Sequence, residues 1–326
     1  MSIDTKILNA LRAVEGGAIS GAELSQQLGV SRAAIWARIQ DLRSLGYDIE
    51  ASPHRGYRLI TSPDLLHADD LISRLGKTKV IGRDIHVFQE TTSTNDVIER
   101  FARDGLKEGV VAFAESQTKG RGRLGRKWVS PQRKGLWFSV LLRPNLQPQE
   151  ATQITVASAT ALRRAIADHT GLTPQIKWPN DILVNGRKVA GILTELSADL
   201  DHVKYIILGI GVDVNLNAND FSAEFRKTAT SLKMELGKPV FRAELAVVIL
   251  RELDNDYTRL TSGQFSELAN EWEEHCATIG QEVVIRTGER QIRGRAEALG
   301  EDGALLLRTD HGRPERIIGG DLTLEK

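Results

Sequence analysis

The spacing of apolar residues along this chain changes several times, and each change marks a new kind of element. Up to about residue 60 the period is helical. In RAAIWARIQDLRSLGY, Ile35, Ile39, Leu42 and Leu45 recur three or four residues apart, as on one buried helix face. Just before it, SGAE (Ser20 to Glu23) is a capping box, with Ser20 as N-cap and Glu23 reaching back. That helix ends at Gly29, and Ser31 caps the next one. Two helices joined by a tight glycine-containing turn predict a helix-turn-helix. YDIEASPHRGYRLI then predicts two short strands around SPHRG, a wing. Near Pro63 the pattern breaks, and TSPDLLHADD reads as a linker into a bridging helix.

From about residue 80 the pattern mixes strands and helices. HVFQETTSTNDVIERFARDG reads as a strand, a polar turn and a helix with Val97, Ile98 and Phe101 inward. VVAFAESQ is a strand that delivers Gln117 to a basic loop. In KWPNDILVNGRKVAGIL, the pair Asn185-Gly186 between apolar runs predicts a two-residue type I′ hairpin turn. That register sets Leu183 opposite Lys188 and Asp181 opposite Ala190, so these four share one face, with Ile182, Val184 and Val189 on the other. VKYIILGIGVDVN reads as a buried strand, in which Gly209 and Gly211 leave room for a close approach. The last fifty or so residues are short strands with turns at TGER, GEDG and DHGR, the spacing of a small β-barrel. The expected fold is therefore multidomain α+β. A winged helix-turn-helix covers 1–63, a linker with a bridging helix 64–79, a central mixed-sheet α/β domain 80–276, and a small β-barrel 277–326.

Composition narrows this little. A chain of 326 residues calls for two or three cores. Basic and acidic side chains balance at 43 each, so any nucleic-acid binding must come from a local patch. The lone Cys276 excludes an intramolecular disulfide and a cysteine metal cluster, and the seven histidines fall at no metal-ligand spacing. With no leader pattern and no long apolar run, the expectation is a cytoplasmic protein without a membrane partner.

The candidate chemistry begins with GRGRLG (Gly120 to Gly125). It matches a dinucleotide fingerprint, but the chain continues into Pro131, Gly135 and a β-type run, with no acidic residue between Glu115 and Glu150 to hold a ribose. It also matches the start of a phosphate-binding Walker loop, yet Arg126 and Lys127 stand where Lys and Ser or Thr are needed. A flexible basic loop remains, with Lys119, Arg121, Arg123, Arg126 and Lys127 among glycines. It suits phosphate, a solvated surface, or an RG-type RNA segment. Ser93, Thr94 and Asn95 sit at a helix start, where free N–H groups suit a polar ligand, or where Ser93 and Asp96 simply cap the helix. Lys188 and Asp181 are either a ligand's charge partners or a structural ion pair.

In the N-terminal domain, burial of Ile35, Ile39 and Leu42 turns Ala33, Trp36, Ala37 and Gln40 outward, a face suited to a major groove. Ser31, Arg32, Arg38 and Arg43 flank it, and His54, Arg55 and Arg58 lie in the wing, all suited to phosphates. Trp36 either meets thymine methyls or packs on the wing. The domain could instead mediate protein contacts. Because one such unit is nearly neutral, DNA binding is expected only from a dimer on two half-sites.

Taken in order, STN, SQTKGRGRLGRKW, KWPNDILVNGRKVAGIL and GIGVDVN, after a winged helix and before a C-terminal domain, resemble the biotin protein ligases in their bifunctional bacterial form, ligase and biotin operon repressor. The resemblance covers the whole length. It implies a central domain of the biotin/lipoate-ligase type, which joins biotin to ATP as biotinyl-AMP and then passes biotin to a lysine of the biotin carboxyl carrier protein of acetyl-CoA carboxylase. It also implies biotinyl-AMP-dependent binding of operator DNA by a ligand-promoted homodimer. Carried over by motif, Ser93, Thr94, Asn95 and Gln117 contact the biotin ring, and Arg121, Gly122 and Arg123 form a lid over the adenylate. Lys188, with Gly191 beside it, meets the biotin carboxylate; Lys188 and Arg123 are the catalytic candidates. Lys177, Asn180, Asp181, Asp213 and Asn215 fall to the nucleotide, with Asp181 beside its Mg²⁺. The family usually has Asn where this chain has Asp213, and an ionised carboxylate cannot donate to adenine as an amide can. A lipoate-type ligase and a ligand-sensing transcription factor without ligase activity remain the alternatives.

Overall fold

The structure is a computed structural model that describes residues 2–324 apart from 15 and 54, without the side chain of Leu324. His54, expected in the wing, lies outside the described residues. The chain divides into two compact units, Met1–Lys77 with Phe241–Val247, and Thr78–Val240 with Val248–Lys326.

The first unit begins with α1 (Ile3–Ala13), α2 (Gly21–Leu28) and α3 (Arg32–Ser44), followed by the hairpin β1 (Asp48–Ser52) and β2 (Gly56–Thr61) and by α4 (Ala68–Leu75). The capping box on α2 forms as read: Ser20 Oγ accepts from Glu23 N at 3.1 Å and Ser20 N donates to Glu23 Oε2 at 2.9 Å. Gly29 closes that helix in the left-handed region at φ 67°, which a Cβ disfavours. Ser31 caps α3 by accepting from Ala34 N. Ile7, Leu8, Leu24, Ile35, Ile39 and Leu42 are fully buried together, each contributing about 1.5–3 kcal/mol by leaving water.

The second unit is built on a mixed seven-stranded sheet. Its strands are β3 (Asp84–Phe88), β4 (Val110–Ala114), β5 (Leu136–Leu142), β6 (Gln175–Lys177), β7 (Asp181–Val184), β8 (Arg187–Ala198) and β9 (Val203–Val212), in the order β3-β4-β5-β9-β8-β7-β6. Only β3 and β4 are parallel, joined through α5 (Thr94–Arg103); the other ladders are antiparallel. On one sheet face, Val97 and Ile98 of α5 pack with Ala112, Leu141 and Ile207. On the other lies α6 (Thr152–Thr170), where Thr155 and Thr194 share a hydroxyl hydrogen bond of 2.8 Å. Then come α7 (Leu232–Leu236), α8 (Arg242–Thr261) and α9 (Phe265–Glu274). Asp254 of α8 accepts from the backbone N–H groups of Lys79, Val80 and Ile81 at 2.7–2.8 Å, which satisfies the chain's approach to β3.

The C-terminal domain is an antiparallel sheet of β10 (Glu282–Thr287), β11 (Arg290–Leu299), β12 (Leu305–Thr309), β13 (Pro314–Ile317) and β14 (Asp321–Leu324), in the order β13-β12-β11-β10-β14. Among the described residues no helix is long and apolar enough to cross a membrane.

The hairpin register departs from expectation at one place. Asn185 and Gly186 adopt the left-handed turn at φ 50° and 73°, and Leu183 pairs with Lys188 as read. A bulge then intervenes, so Asp181 pairs with Gly191 and Ile182 with Ala190. One extra residue on β8 shifts every side chain beyond it to the opposite face. Ala190 is therefore buried beneath the sheet, and Gly191 shares the upper face with Asp181 and Lys188.

Candidate active site

The site lies on the α5 face of the sheet, at the N-terminal end of α5, where the helix stops covering the strands. Three glycines pave that part of the face. A Cβ on Gly209 would sit 2.3 Å from Asn95 Oδ1, and one on Gly211 would sit 2.6 Å from the Trp128 indole. A Cβ on Gly191 would meet Trp128 at 3.0 Å and Lys188 at 3.2 Å.

The polar end is formed by the start of α5. Ser93, Thr94 and Asn95 are each only 3% exposed. Gln117 Oε1 accepts from Thr94 N at 2.8 Å, while Gln117 Nε2 donates to Ser130 Oγ at 2.9 Å. The hydroxyls of Thr94 and Ser139 lie 2.7 Å apart, and Ser139 Oγ donates to Asn95 Oδ1 at 2.5 Å. Asn95 Nδ2 donates to Glu195 Oε2 at 2.6 Å. Ser93 accepts from Asn95 N at 3.3 Å. Ser93 thus caps α5, whereas Asp96 takes no part in the cap: it turns to Arg121, whose guanidinium offers an opposite charge, and accepts from Thr92 Oγ1 at 2.9 Å.

At the charged end, Lys188 Nζ lies 2.5 Å from Asp181 Oδ1, off the direction of a good hydrogen bond, and 5.1 Å from the centre of the Trp128 ring. Lys177 pairs with Asp181 across β6 and β7 and so shares its face. Backbone bonds from Lys188 N to Thr228 O and from Thr230 N to Lys188 O, both 2.8 Å, hold the segment that follows β9 against this strand. Asp213, just past β9, is 5% exposed, and its carboxyl has no hydrogen-bond partner among the described residues. Burial pushes its pKa well above the carboxylate range, against the pull of Lys188. The Asn215 side chain is engaged by backbone. Its amide both donates to Val240 O and accepts from Val240 N at 2.9 Å, so both ends are occupied in fixing a turn.

The basic loop folds over these ends. Arg121 bridges Asp96 and Glu195, and the Glu195 hydrogen bond is the first of the causes that hold its pKa above the usual arginine value. Gly122 N donates to Arg126 O at 2.7 Å, and Leu124 takes a left-handed φ of 55° at the tip. Arg123 Nη1 donates to Asn180 Oδ1 at 3.1 Å, and Asn180 Nδ2 in turn donates to Ile192 O at 2.7 Å. Burial lowers the Arg123 pKa, with Asp181 opposing that. Arg126 pairs with Asp321 of the C-terminal sheet.

Three contributors escaped the reading of single motifs. Ser139 and Glu195 are polar residues inside apolar strand runs, at positions that share the face of Gly209 and Gly191. A lone charge in AGILTELSA was the available signal for Glu195. Trp128 closes the basic motif and roofs two of the glycines.

No group of three or more His, Cys, Asp or Glu side chains among the described residues could hold a metal ion. Asp181 alone is a donor suited to Mg²⁺ that keeps its other positions for water and phosphate oxygens. The donor set thus fits an ion carried in with a nucleotide.

In the winged helix, Ser31, Arg32, Ala33, Trp36, Ala37 and Arg55 are exposed and Gln40 is partly so. Trp36 is 58% exposed, and its indole has no ring or hydrogen-bond partner among the described residues. Arg43 donates through Nε to Ile49 O at 2.9 Å, which ties it to the wing strand.

Three family models match the chain: the HTH domain over residues 4–58, the biotin/lipoate A/B protein ligase family over 87–213, and the biotin protein ligase C terminal domain over 278–323. The bifunctional ligase/repressor BirA of Bacillus subtilis is 38% identical over 307 residues, covering 94% of each chain. The protein of the same name from Escherichia coli is 32% identical over 310 residues, or 94% of this chain and 92% of that one. Among solved structures, the biotin protein ligase of Aquifex aeolicus in complex with biotin and ATP superposes with a TM-score of 0.64 at 31% identity, over 75% of this chain and 99% of that one. With identity sustained across the DNA-binding, ligase and C-terminal segments alike, the chain belongs to the bifunctional ligase/repressor family of biotin protein ligases.

Proposed function

We propose that the chain activates biotin with ATP to biotinyl-5′-AMP and transfers biotin to a lysine of the biotin carboxyl carrier protein of acetyl-CoA carboxylase. One observation carries this reading. Three glycines line the sheet face between a buried polar cluster and a lysine ammonium, with Asn95, Trp128 and Lys188 packed on them, and this order suits a ligand with a polar ring at one end and a carboxylate at the other. Ser93, Thr94, Asn95 and Gln117 supply donors and acceptors for the ring, with Ser139 and Glu195 holding Asn95 in place. The aliphatic chain crosses Gly211 and Gly191 in place of the Trp128 indole, which packs on both glycines here and must give way to it.

The first step brings an anionic carboxylate oxygen onto an anionic α-phosphate, with pyrophosphate leaving. Lys188 exchanges Asp181 for the substrate's carboxylate and lies where both reacting groups are negative. A fixed cation there lowers the barrier, and removing one such group costs about 10²-fold or more in rate. Asp181 would hold the nucleotide's Mg²⁺, which would supply phosphate charge neutralisation. Arg123, held by Asn180, covers the reacting phosphate from the lid. Gly191 leaves space for the carboxylate end beside Lys188, and Lys177 adds positive charge on the same face. In the second step the acceptor amine attacks the acyl carbon and AMP leaves. The mixed anhydride hydrolyses readily, so the loop from Gly120 to Trp128 keeps water away until the acceptor arrives.

The winged helix makes the same chain a repressor of biotin synthesis genes. Biotinyl-AMP promotes a homodimer that sets two winged helices on operator half-sites, a positive coupling of ligand and DNA. The protein acts in the cytoplasm, where ATP and the carrier are found.

Incubation of the purified chain with ATP, Mg²⁺, biotin and the carrier domain tests the enzymatic reading. Labelling of one carrier lysine, detected with streptavidin and mass spectrometry, is the expected result. Labelling with lipoate or octanoate in place of biotin would change the substrate assigned. Footprints of equal strength with and without biotin plus ATP would contradict the coupling.

A further inference from the structure

The winged helix supports an inference that deepens, and rests on, the DNA-binding reading of this domain. Its exposed face is poor in available charge. Arg38 is held by Asp4, with Nε 2.7 Å from Oδ1, and by Asp41 at 3.1 Å. Arg43 donates to the backbone of Ile49, and Arg58 is 2.8 Å from Glu50. Of the five arginines on α3 and the wing, only Arg32 and Arg55 have no ion pair or side-chain hydrogen bond among the described residues. In the middle of that face stands the Trp36 indole, 58% exposed, with exposed alanines at 33 and 37 on either side. Small neighbours let the helix approach a groove closely while the indole projects from it.

The major groove offers one apolar group at a base edge, the C5 methyl of thymine. We propose that Trp36 reads a thymine in each operator half-site through that methyl group, and that this apolar contact, more than phosphate charge, sets operator recognition. Two consequences are measurable. A methyl group buried against the indole is worth about fourfold in affinity. Two free cations per protomer give four per dimer, and at roughly 0.9 per phosphate the slope of log K against log salt is about −4; release of all five arginines would make it about −9.

The test uses the full chain with biotin and ATP. A library of duplexes with random cores is enriched on the protein, and the enriched duplex is then titrated by fluorescence anisotropy between 50 and 300 mM KCl, concentrations at which roughly this range of slopes is resolved. Each thymine is replaced in turn by deoxyuridine. The expected result is one position per half-site where the replacement weakens binding about fourfold. Trp36→Ala, whose thermal melting should match the parent's because the ring is exposed, should bind the thymine and deoxyuridine duplexes equally. Three results overturn the proposal: no sensitive thymine, the same sensitivity in Trp36→Ala, or a slope near −9. Failure to enrich any duplex refutes the DNA-binding reading itself, and this proposal with it.

Discussion

Replacing Gly209 by Ala probes the polar end of the site. The backbone at Gly209 is accessible to any L-residue, so the perturbation is one of space alone. The new methyl group would lie 2.3 Å from Asn95 Oδ1, 3.0 Å from its Cγ and 3.1 Å from Nδ2. Asn95 cannot swing aside freely, because Ser139 donates to its oxygen at 2.5 Å and its nitrogen donates to Glu195 at 2.6 Å. Making room breaks one of these bonds, a loss of about 0.5–1.5 kcal/mol for the neutral one or about 1.5–3 kcal/mol for that to the carboxylate. The displaced amide is the one proposed to contact the biotin ring, so the loss falls on ligand affinity. Biotin binding by calorimetry should weaken by more than twofold and up to roughly 150-fold, the conversion of about 0.5–3 kcal/mol. Ser139→Ala frees Asn95 on one side. The double variant should therefore be weaker than the parent but stronger than the product of the two single effects. A biotin Kd within twofold of the parent's for Gly209→Ala would refute the packing argument.

Three further outcomes are expected. Asp321→Lys removes the partner of Arg126 on the lid; the pair is surface-exposed and worth at most about 1 kcal/mol, so biotinyl-AMP loss in single-turnover chase should quicken by no more than about fivefold, and Arg126→Asp in the same chain should restore it. Asp254→Ala leaves the N–H groups of Lys79, Val80 and Ile81 without their acceptor, and should cost about 3 kcal/mol or more of unfolding free energy in urea; a change under about 1 kcal/mol would contradict it. Asp213 has a folded pKa above its unfolded one, so its protonated form is favoured by folding: its stabilising contribution is complete below the unfolded value near 4 and is lost as pH rises through the folded value. Asp213→Asn should then melt higher than the parent at neutral pH, the gap closing towards pH ~4, with an altered KM for ATP; identical melting across that range, or an unchanged KM, would contradict the respective half.

What could be read from the sequence was what neighbours in the chain decide. Ser20 with Glu23, Gly29, and Asn185-Gly186 act over a few residues, and each does what its local chemistry requires. The order of motifs identified the ligase core because their spacing is itself sequence information. The bulge on β8 was not legible, since an unpaired residue leaves no mark in an apolar run that looks the same in either register. Nor were long-range choices. Asn215 answers to Val240, Arg38 to Asp4, and Asp96 to Arg121 rather than to Ser93, all across separations that local spacing does not report. Such partners decide which polar residues are free to act.

Biotin-dependent exchange of labelled pyrophosphate into ATP tests the central claim most directly, because it needs no acceptor and reports the step placed at Lys188. Rapid exchange with biotin, absent with lipoate and octanoate, and reduced about 100-fold or more in a folded Lys188→Ala variant, is the expected result. Exchange that proceeds at the parental rate without Lys188, or no exchange with biotin at all, would contradict the account.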